Sequence, residues 1–389
     1  MELGLAHEYF SVHGGAERVV DVLHAMWPRA PVYTFFHDRD AYGALSGWTL
    51  RTSFLQQLPI GHGAHRVLLP LYPRAARSLR VPADTDVVLT STSAFIKGIS
   101  LGERTVHVAY CHSPTRYLWD WSERYLEEEV PAPLRGLVRK LLIRLRKDDR
   151  AFADRVDRWI ANSAVVQRRI ATYYGAPSEV VNPPIEVDEF VPAPTRGDFW
   201  VCMPSRLVAY KRADIAVNAF NEVGMRLIVV GDGRERTALE RIARENVTFA
   251  GRVSRETVRE LLGAARGLVF PTEDDFGMVC AEALASGAPV VALARGGARE
   301  IVLHGENGLL VEAPEPQAFA VAIRQAERTG FDPARVRESA RRFDRPVFEE
   351  RIRAIVDDAV TNRRGAALPR QAAGPPGAGA AEGSDGTGA

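Results

Sequence analysis

The stretch Gly267-Leu268-Val269-Phe270-Pro271-Thr272-Glu273-Asp274-Asp275-Phe276-Gly277-Met278-Val279-Cys280-Ala281-Glu282, which runs on to Pro289-Val290-Val291-Ala292, decides the fold. Gly267–Pro271 and Pro289–Ala292 are short apolar runs without alternation. Strands of that kind are buried on both faces, which is the parallel case. Between them a helix is expected from about Met278. The carboxylates and Gly277 fall where the first strand gives way to that helix, and in open parallel sheets ligands bind at such carboxyl ends.

Working outward, the alternation recurs. Strands are expected at Trp200–Met203, Arg226–Val230, Val247–Ala250 and Gly308–Val311, with helices between them and Ser254 as an N-cap. Earlier in the chain, strands are expected at Leu3–Ala6, Val32–Phe36, Asp86–Thr90, Val106–Cys111 and Arg158–Ala161, with helices at Ala16–Trp27 and Ala164–Tyr174. The prolines of Asn182-Pro183-Pro184 and Pro192–Pro194 separate the two series. The expected organisation is α/β, with two Rossmann-like domains whose parallel sheets face each other across a cleft. The first covers 1–185 and the second 186–345. A late helix at 346–362 packs back on the first domain, and 363–389, rich in Gly, Ala and Pro, forms a disordered tail.

Composition narrows the class. The chain has 389 residues with 50 basic and 49 acidic side chains, a net charge of +1. That balance points away from a nucleic-acid binder. Only four of the basic residues are lysines: Lys97, Lys140, Lys147 and Lys211. Three dispersed cysteines argue against a disulfide framework and for a reducing, cytoplasmic setting. No apolar run reaches the length of a membrane span. Leu134 to Lys147 sets one apolar face (Leu134, Leu137, Val138, Leu141, Leu142, Leu145) against six cations. It reads first as a core-packing helix, and second as peripheral contact with an anionic membrane surface. Asp148 and Asp149 follow directly and count against the second reading.

Candidate chemistry sits at the strand ends. Gly14 and Gly15 open a helix after the first strand, where glycine admits close approach to a phosphate. His112 follows Val106–Cys111 in a proline-restricted loop. Ser205 and Arg206 end Trp200–Met203, and Lys211 opens the next helix. Arg206 and Lys211 could both reach one diphosphate, one with a planar fork and the other with a point charge, or stand as two surface cations beside a helix. Gly231-Asp232-Gly233 ends another strand. Asp274 and Glu282 are acceptors for sugar or ribose hydroxyls, and helix-start amides suit a charged leaving group. No GxGxxG is present, which disfavours a dinucleotide redox enzyme.

Asp274 to Glu282, with the run Ala283-Leu284-Ala285-Ser286-Gly287-Ala288-Pro289-Val290-Val291, resembles the Glu-(seven residues)-Glu block of the retaining family-4 glycosyltransferases, which have the GT-B fold. Ser205-Arg206-Leu207 with Lys211, Gly231-Asp232-Gly233 and Ala161-Asn162-Ser163 are similar to further patterns of that family. His7-Glu8-Tyr9-Phe10, Gly14-Gly15-Ala16-Glu17-Arg18, His112-Ser113-Pro114 and Tyr117-Leu118-Trp119-Asp120 resemble a bacterial subgroup of O-antigen and exopolysaccharide mannosyltransferases. The resemblance spans Gly14 to about Val311.

It implies a retaining transfer from a nucleotide sugar, GDP-mannose before UDP- or dTDP-sugars, with no metal. The acceptor would be a glycan, a lipid-linked sugar or a small molecule. His112, Arg206, Lys211 and Asp274 would act at the reacting centre. Gly14, Gly15, Ser205, Gly231, Gly233, Glu273, Phe276, Gly277, Met278, Val279 and Glu282 would hold the donor, Glu282 at the ribose. Asp274 stands where the family usually has Glu, and Glu273 beside it is the alternative. Two rivals remain. One is a metal-dependent transferase of another fold, using Asp38-Arg39-Asp40 or Asp84-Thr85-Asp86. The other is a non-catalytic nucleotide-sugar or polysaccharide binder.

Overall fold

The computed structural model describes residues 1–58 and 68–365. The first sheet contains β1 (Leu3–His7), β2 (Val32–Thr34), β3 (Leu50–Thr52), β4 (Val87–Thr92), β5 (Val106–Cys111), β6 (Arg158–Ala161) and β7 (Ser178–Val180). They lie in the order β3-β2-β1-β4-β5-β6-β7, all parallel. The second contains β8 (Phe199–Arg206), β9 (Arg226–Asp232), β10 (Val247–Gly251), β11 (Leu268–Phe270), β12 (Val290–Leu293) and β13 (Gly308–Val311), in the order β10-β9-β8-β11-β12-β13, again all parallel. Strand order reverses between β1 and β4 in one sheet and between β8 and β11 in the other. Crevices open at such switch points, outside the carboxyl ends.

Helices cover both faces of each sheet, as the apolar strands require. β1, β4 and β5 bury Leu5, Leu89 and Val108 against Val19, Val20 and Leu23 of the helix Gly15–Met26. The same cluster takes Phe348, Ile352, Val356 and Val360 from the last helix, Arg345–Gly365. That helix therefore packs on the first domain. It remains helical to Gly365, past residue 363 where the tail was expected to begin, and the expected tail from 366 on lies outside the described residues. The chain passes between the domains at two adjacent places. Ile185 N donates to Phe343 O at 2.8 Å, and Arg345 N donates to Ile185 O at 3.1 Å.

Several elements differ from expectation for local reasons. β3 and β7 are three-residue edge strands with little apolar signal. β9 runs on through Gly231 and Asp232, which pair with Ser205 and Arg206 of β8. The basic helix spans Arg135–Ala153 and includes both aspartates: Asp149 is fully buried, and Asp148 pairs with Arg77 at 2.6 Å. Its expected apolar face is split. Leu142 and Leu145 are buried, whereas Leu134 and Leu137 are exposed. Among the described residues no helix is long and apolar enough to cross a membrane.

Candidate active site

The carboxyl ends of both sheets line one cleft of about 1340 Å³. His112, Gly14, Gly15, Ser205, Arg206, Lys211, Asp274, Phe276, Gly277, Met278, Val279 and Glu282 all contribute to its wall. Gly231, Gly233 and Glu273 do not. Gly231, at φ +133°, would set a Cβ 2.7 Å from Ser205 O, and a Cβ on Gly233 would run into Leu207 O. These two glycines let β8 and β9 close on each other. Glu273 is exposed beside the cleft.

The second-domain wall is built by tight turns. β8 bulges between Cys202 and Ser205, and Ser205 takes φ +62°, a left-handed conformation uncommon for a residue with a Cβ. The turn carries Arg206 to the cleft edge, where Tyr210 OH lies 3.1 Å from its Nη2. Lys211 Nζ donates to both Asp274 oxygens, at 2.7 and 2.6 Å. Gly297 N in turn donates to Asp274 O at 2.9 Å, and Gly296, at φ +63°, lies too close to that carbonyl for any Cβ. Phe276 is buried and anchors the loop in the second-domain core. Gly277, at φ +93°, turns the chain into the helix Met278–Ala285, whose start has no side-chain cap. Met278 and Val279, the first two residues of this helix, line the cleft, and unsatisfied helix-start amides with a positive dipole end favour an anion.

Glu282 lies deeper on that helix, with its side chain 3% exposed. Its Oε1 accepts from Arg18 of the first domain and from Arg255 Nη1 at 2.9 Å. Burial alone would raise this carboxyl, but the two guanidiniums outweigh it and hold it below the usual range.

On the opposite wall, Gly14 caps the helix Gly15–Met26, and its N–H donates to Glu17 Oε2 at 2.9 Å. Gly15 faces Met278 across the cleft, and a Cβ there would stand 2.9 Å from the Met278 sulfur. His112 follows β5, and its Nε2 lies 2.7 Å from Ser91 Oγ. Burial, with a smaller contribution from His7, lowers its pKa to about 3, so the ring is neutral near pH 7. Asn162 Nδ2 donates to His112 O at 2.9 Å. Asn162 Oδ1 and Ser113 Oγ are buried in the same wall with no hydrogen-bond partner among the described residues. Buried polar atoms of that kind call for a ligand or water.

The sequence reading did not single out the cross-domain charges. Arg18 reaches Glu282. Asp275 takes Arg169, and Arg116 at 3.6 Å, while Asp120 holds Arg169 at 3.3 Å. Ala164 N donates to Glu300 Oε1 at 2.8 Å. Single arginines on helices carry no motif; Arg18 lies within the Gly14–Arg18 stretch and Arg116 closes the stretch after His112, but neither sequence position points to its partner. Asp38 caps a short helix, accepting from Asp40 N and Ala41 N, and none of Asp38, Asp40, Asp84 and Asp86 lines the cleft. Among the described residues no cluster of three or more His, Cys, Asp or Glu is arranged to hold a metal ion.

Residues 198–328 match the family of group 1 glycosyl transferases. The chain is 31% identical over 283 residues to a D-inositol 3-phosphate glycosyltransferase of Acidothermus cellulolyticus, covering 63% of this chain and 61% of that protein. It is 29% identical over 220 residues to the enzyme of the same name from Mycobacteroides abscessus, covering 49% and 50%. The matched part thus spans less than two thirds of these relatives. Among solved structures, Anabaena HepE in complex with UDP superposes with a TM-score of 0.68 at 19% identity, covering 92% of this chain and 100% of that one. Sucrose-phosphate synthase from Thermosynechococcus elongatus superposes with a TM-score of 0.67 at 18% identity, covering 92% and 100%. The fold is that of the GT-B glycosyltransferases, and residues 198–328 match their group 1 family.

Proposed function

We propose that the chain transfers a hexosyl group from a nucleoside diphosphate sugar to an acceptor hydroxyl, with retention of configuration and without a metal. One observation carries the reading: Lys211, Asp274, the open start of Met278–Ala285 and Glu282 line one wall of a cleft whose other wall holds His112. Lys211, Arg206 and the helix-start amides would neutralise the departing diphosphate. Glu282 would hold the ribose beside Arg255, with Val253 and Val258 as an apolar wall for the base. Asp274 would bind sugar hydroxyls, Gly14 and Gly15 would admit the donor closely, and closure of the domains would exclude water. Gly231, Gly233 and Glu273 would support the donor site from outside its wall.

GDP-mannose is placed first as donor, on the resemblance of the His7, Gly14 and His112 blocks to mannosyltransferases. A UDP-sugar is the second reading, supported by the UDP held by HepE, which shares the fold. The acceptor would be a glycan, a lipid-linked sugar or a small molecule, to which the relatives' name adds an inositol phosphate.

Thermal shifts with GDP, UDP and dTDP test the donor, because a ligand bound only to the folded state raises its melting temperature. NMR of the product anomer tests retention. No shift with any nucleotide and no hydrolysis of any donor sugar would refute the reading. Activity lost to EDTA and restored by manganese would refute its metal-free part.

Peripheral membrane contact at the cytoplasmic face is part of the proposal. Asp149 is buried and Asp148 is paired with Arg77, so neither offsets Lys140, Arg144 and Lys147, which are exposed with Leu134, Leu137 and Ile143. Cosedimentation with anionic vesicles but not neutral ones is the expected result, and equal recovery with both would count against it.

A further inference from the structure

A hydrogen-bonded chain leads from the cleft back into the first domain. Beyond the contact of His112 Nε2 with Ser91 Oγ at 2.7 Å, that oxygen lies 3.0 Å from His7 Nδ1. His7 Nε2 lies 3.5 Å from Glu17 Oε1, and Glu17 Oε2 accepts from Gly14 N at 2.9 Å. The fold assembles this chain. His7 and Ser91 are register partners at the ends of β1 and β4, where strand order reverses, and both are buried. Of the four side chains, only His112 lines the cleft.

Proton positions along the chain are constrained. A carboxylate only accepts, so His7 Nε2–H donates to Glu17 Oε1. When Nε2 carries the imidazole's single proton, Nδ1 is a lone pair, and the Ser91 hydroxyl donates to it. The same oxygen accepts from His112 Nε2–H. His112 Nδ1 is left bare, and it has no hydrogen-bond partner among the described residues.

We propose that Glu17, His7 and Ser91 are positioning residues that hold His112 as the Nε2–H tautomer, so that its Nδ1 accepts a hydroxyl of the sugar in the cleft. The donor sugar must then offer an O–H there. An O-methyl or deoxy analogue at that position loses the bond. This specificity claim rests on the glycosyl-transfer reading, but the tautomer does not.

Glu17→Gln makes a sharp test. Gly14 N–H holds the amide oxygen, so the new NH2 faces His7 Nε2. Every hydrogen bond in the chain then reverses, and His112 gains Nδ1–H. Nitrogen-15 NMR of histidine-labelled protein at pH 8 reads both states. In the native chain His112 Nδ1 should resonate as unprotonated and Nε2 as protonated. In Glu17→Gln the two should exchange, with kcat lowered about ten-fold or more. In Ser91→Ala the link is cut, and adding Glu17→Gln should no longer move the His112 signals. Glu17→Asp, which keeps a carboxylate, should keep the native tautomer.

A protonated Nδ1 in the native chain overturns the proposal, and that measurement does not depend on any variant folding. Unchanged His112 signals in folded Glu17→Gln overturn it as well. A native chain with the expected tautomer but no transferase activity would instead sink the functional reading alone.

Discussion

Among the described residues, two lysine–aspartate pairs differ in kind. Lys97 and Asp149 are sealed inside the first domain, with side chains 1% and 0% exposed. Asp149 accepts from Lys97 at 2.5 Å, Thr115 at 2.7 Å, Trp119 at 2.8 Å and Tyr174 at 2.9 Å. Its acceptor capacity is filled, and through Thr115 and Trp119 it fixes the loop after His112. Lys211 and Asp274 sit at the cleft, 13% and 24% exposed, and Asp274 has Lys211 as its side-chain partner. A saturated buried pair organises the fold. A partly exposed pair with lone pairs and protons to spare can exchange partners with a ligand.

The largest effect expected from this contrast is on stability. Asp149→Ala strands the Lys97 ammonium in the interior and orphans three neutral donors. Removing one partner of a buried pair typically costs ~3–5 kcal/mol. Urea unfolding should show a loss of that size. Adding Lys97→Met should recover part of it, and not all, because Thr115, Trp119 and Tyr174 still lack an acceptor. A loss below about 1 kcal/mol, the range of exposed pairs, would erase the distinction.

Next comes activity. Lys211→Ala should lower kcat by roughly 10²–10³, the usual cost of removing one preorganised charge-stabilising group. Its effect on stability should stay within about 1 kcal/mol because the pair is partly solvated. The two variants then separate fold from function. An unchanged transfer or donor-hydrolysis rate would remove this lysine from the chemistry.

The comparison also shows what could be read from the sequence. The central strands of both sheets were legible because they are short apolar runs, while the edge strands β3 and β7 carry too little apolar signal to be read, and the cleft wall from Asp274 to Glu282 was legible because a carboxylate-rich turn precedes a helix. Lys211 stood out by its rarity and its place close after Arg206 at a strand end. Asp149 was read only as a charge beside a basic helix, since burial depends on packing against Lys97, which lies 52 residues away. Gly231 and Gly233 are donor-binding residues by the family resemblance, yet a neighbouring backbone demands the same small residue that a ligand would. Arg169 and Arg255 gave no local signal, and Arg18 gave none for its partner: the carboxylates they meet are across the cleft or on other helices. The chain from Glu17 to His112 became visible only once register placed His7 beside Ser91.

A smaller effect tests the neutral group between these extremes. His112 titrates at about 3 in the folded chain, against 6.5 for the free side chain. Between these values the unfolded chain holds a proton that the folded chain lacks. Stability from this group is therefore fully present above about pH 6.5 and falls on acidification by roughly 1.4 kcal/mol per pH unit. The carboxylate of Glu282, itself held low, adds a loss of the same sign only below the usual carboxylate range. His112→Gln should flatten the slope from pH 6.5 to 5 and leave the steeper acid limb. A slope there as steep as in the native chain would show that His112 protonates without penalty.

The smallest effect belongs to Gly15. A Cβ there would meet the Met278 sulfur at 2.9 Å, across the cleft. Thioethers are flexible and can rotate aside, so the contact should cost little in stability. Alanine also favours the first helical turn over glycine by up to ~1 kcal/mol, which offsets that cost. The melting temperature of Gly15→Ala should therefore stay close to that of the native chain. The displaced Met278 lies at the start of the helix proposed to face the diphosphate, so the cross-cleft approach should widen and the donor KM should rise a few-fold with kcat less affected. If KM holds and the melting temperature rises, Gly15 is only a turn residue, and close approach at this point does not serve the donor.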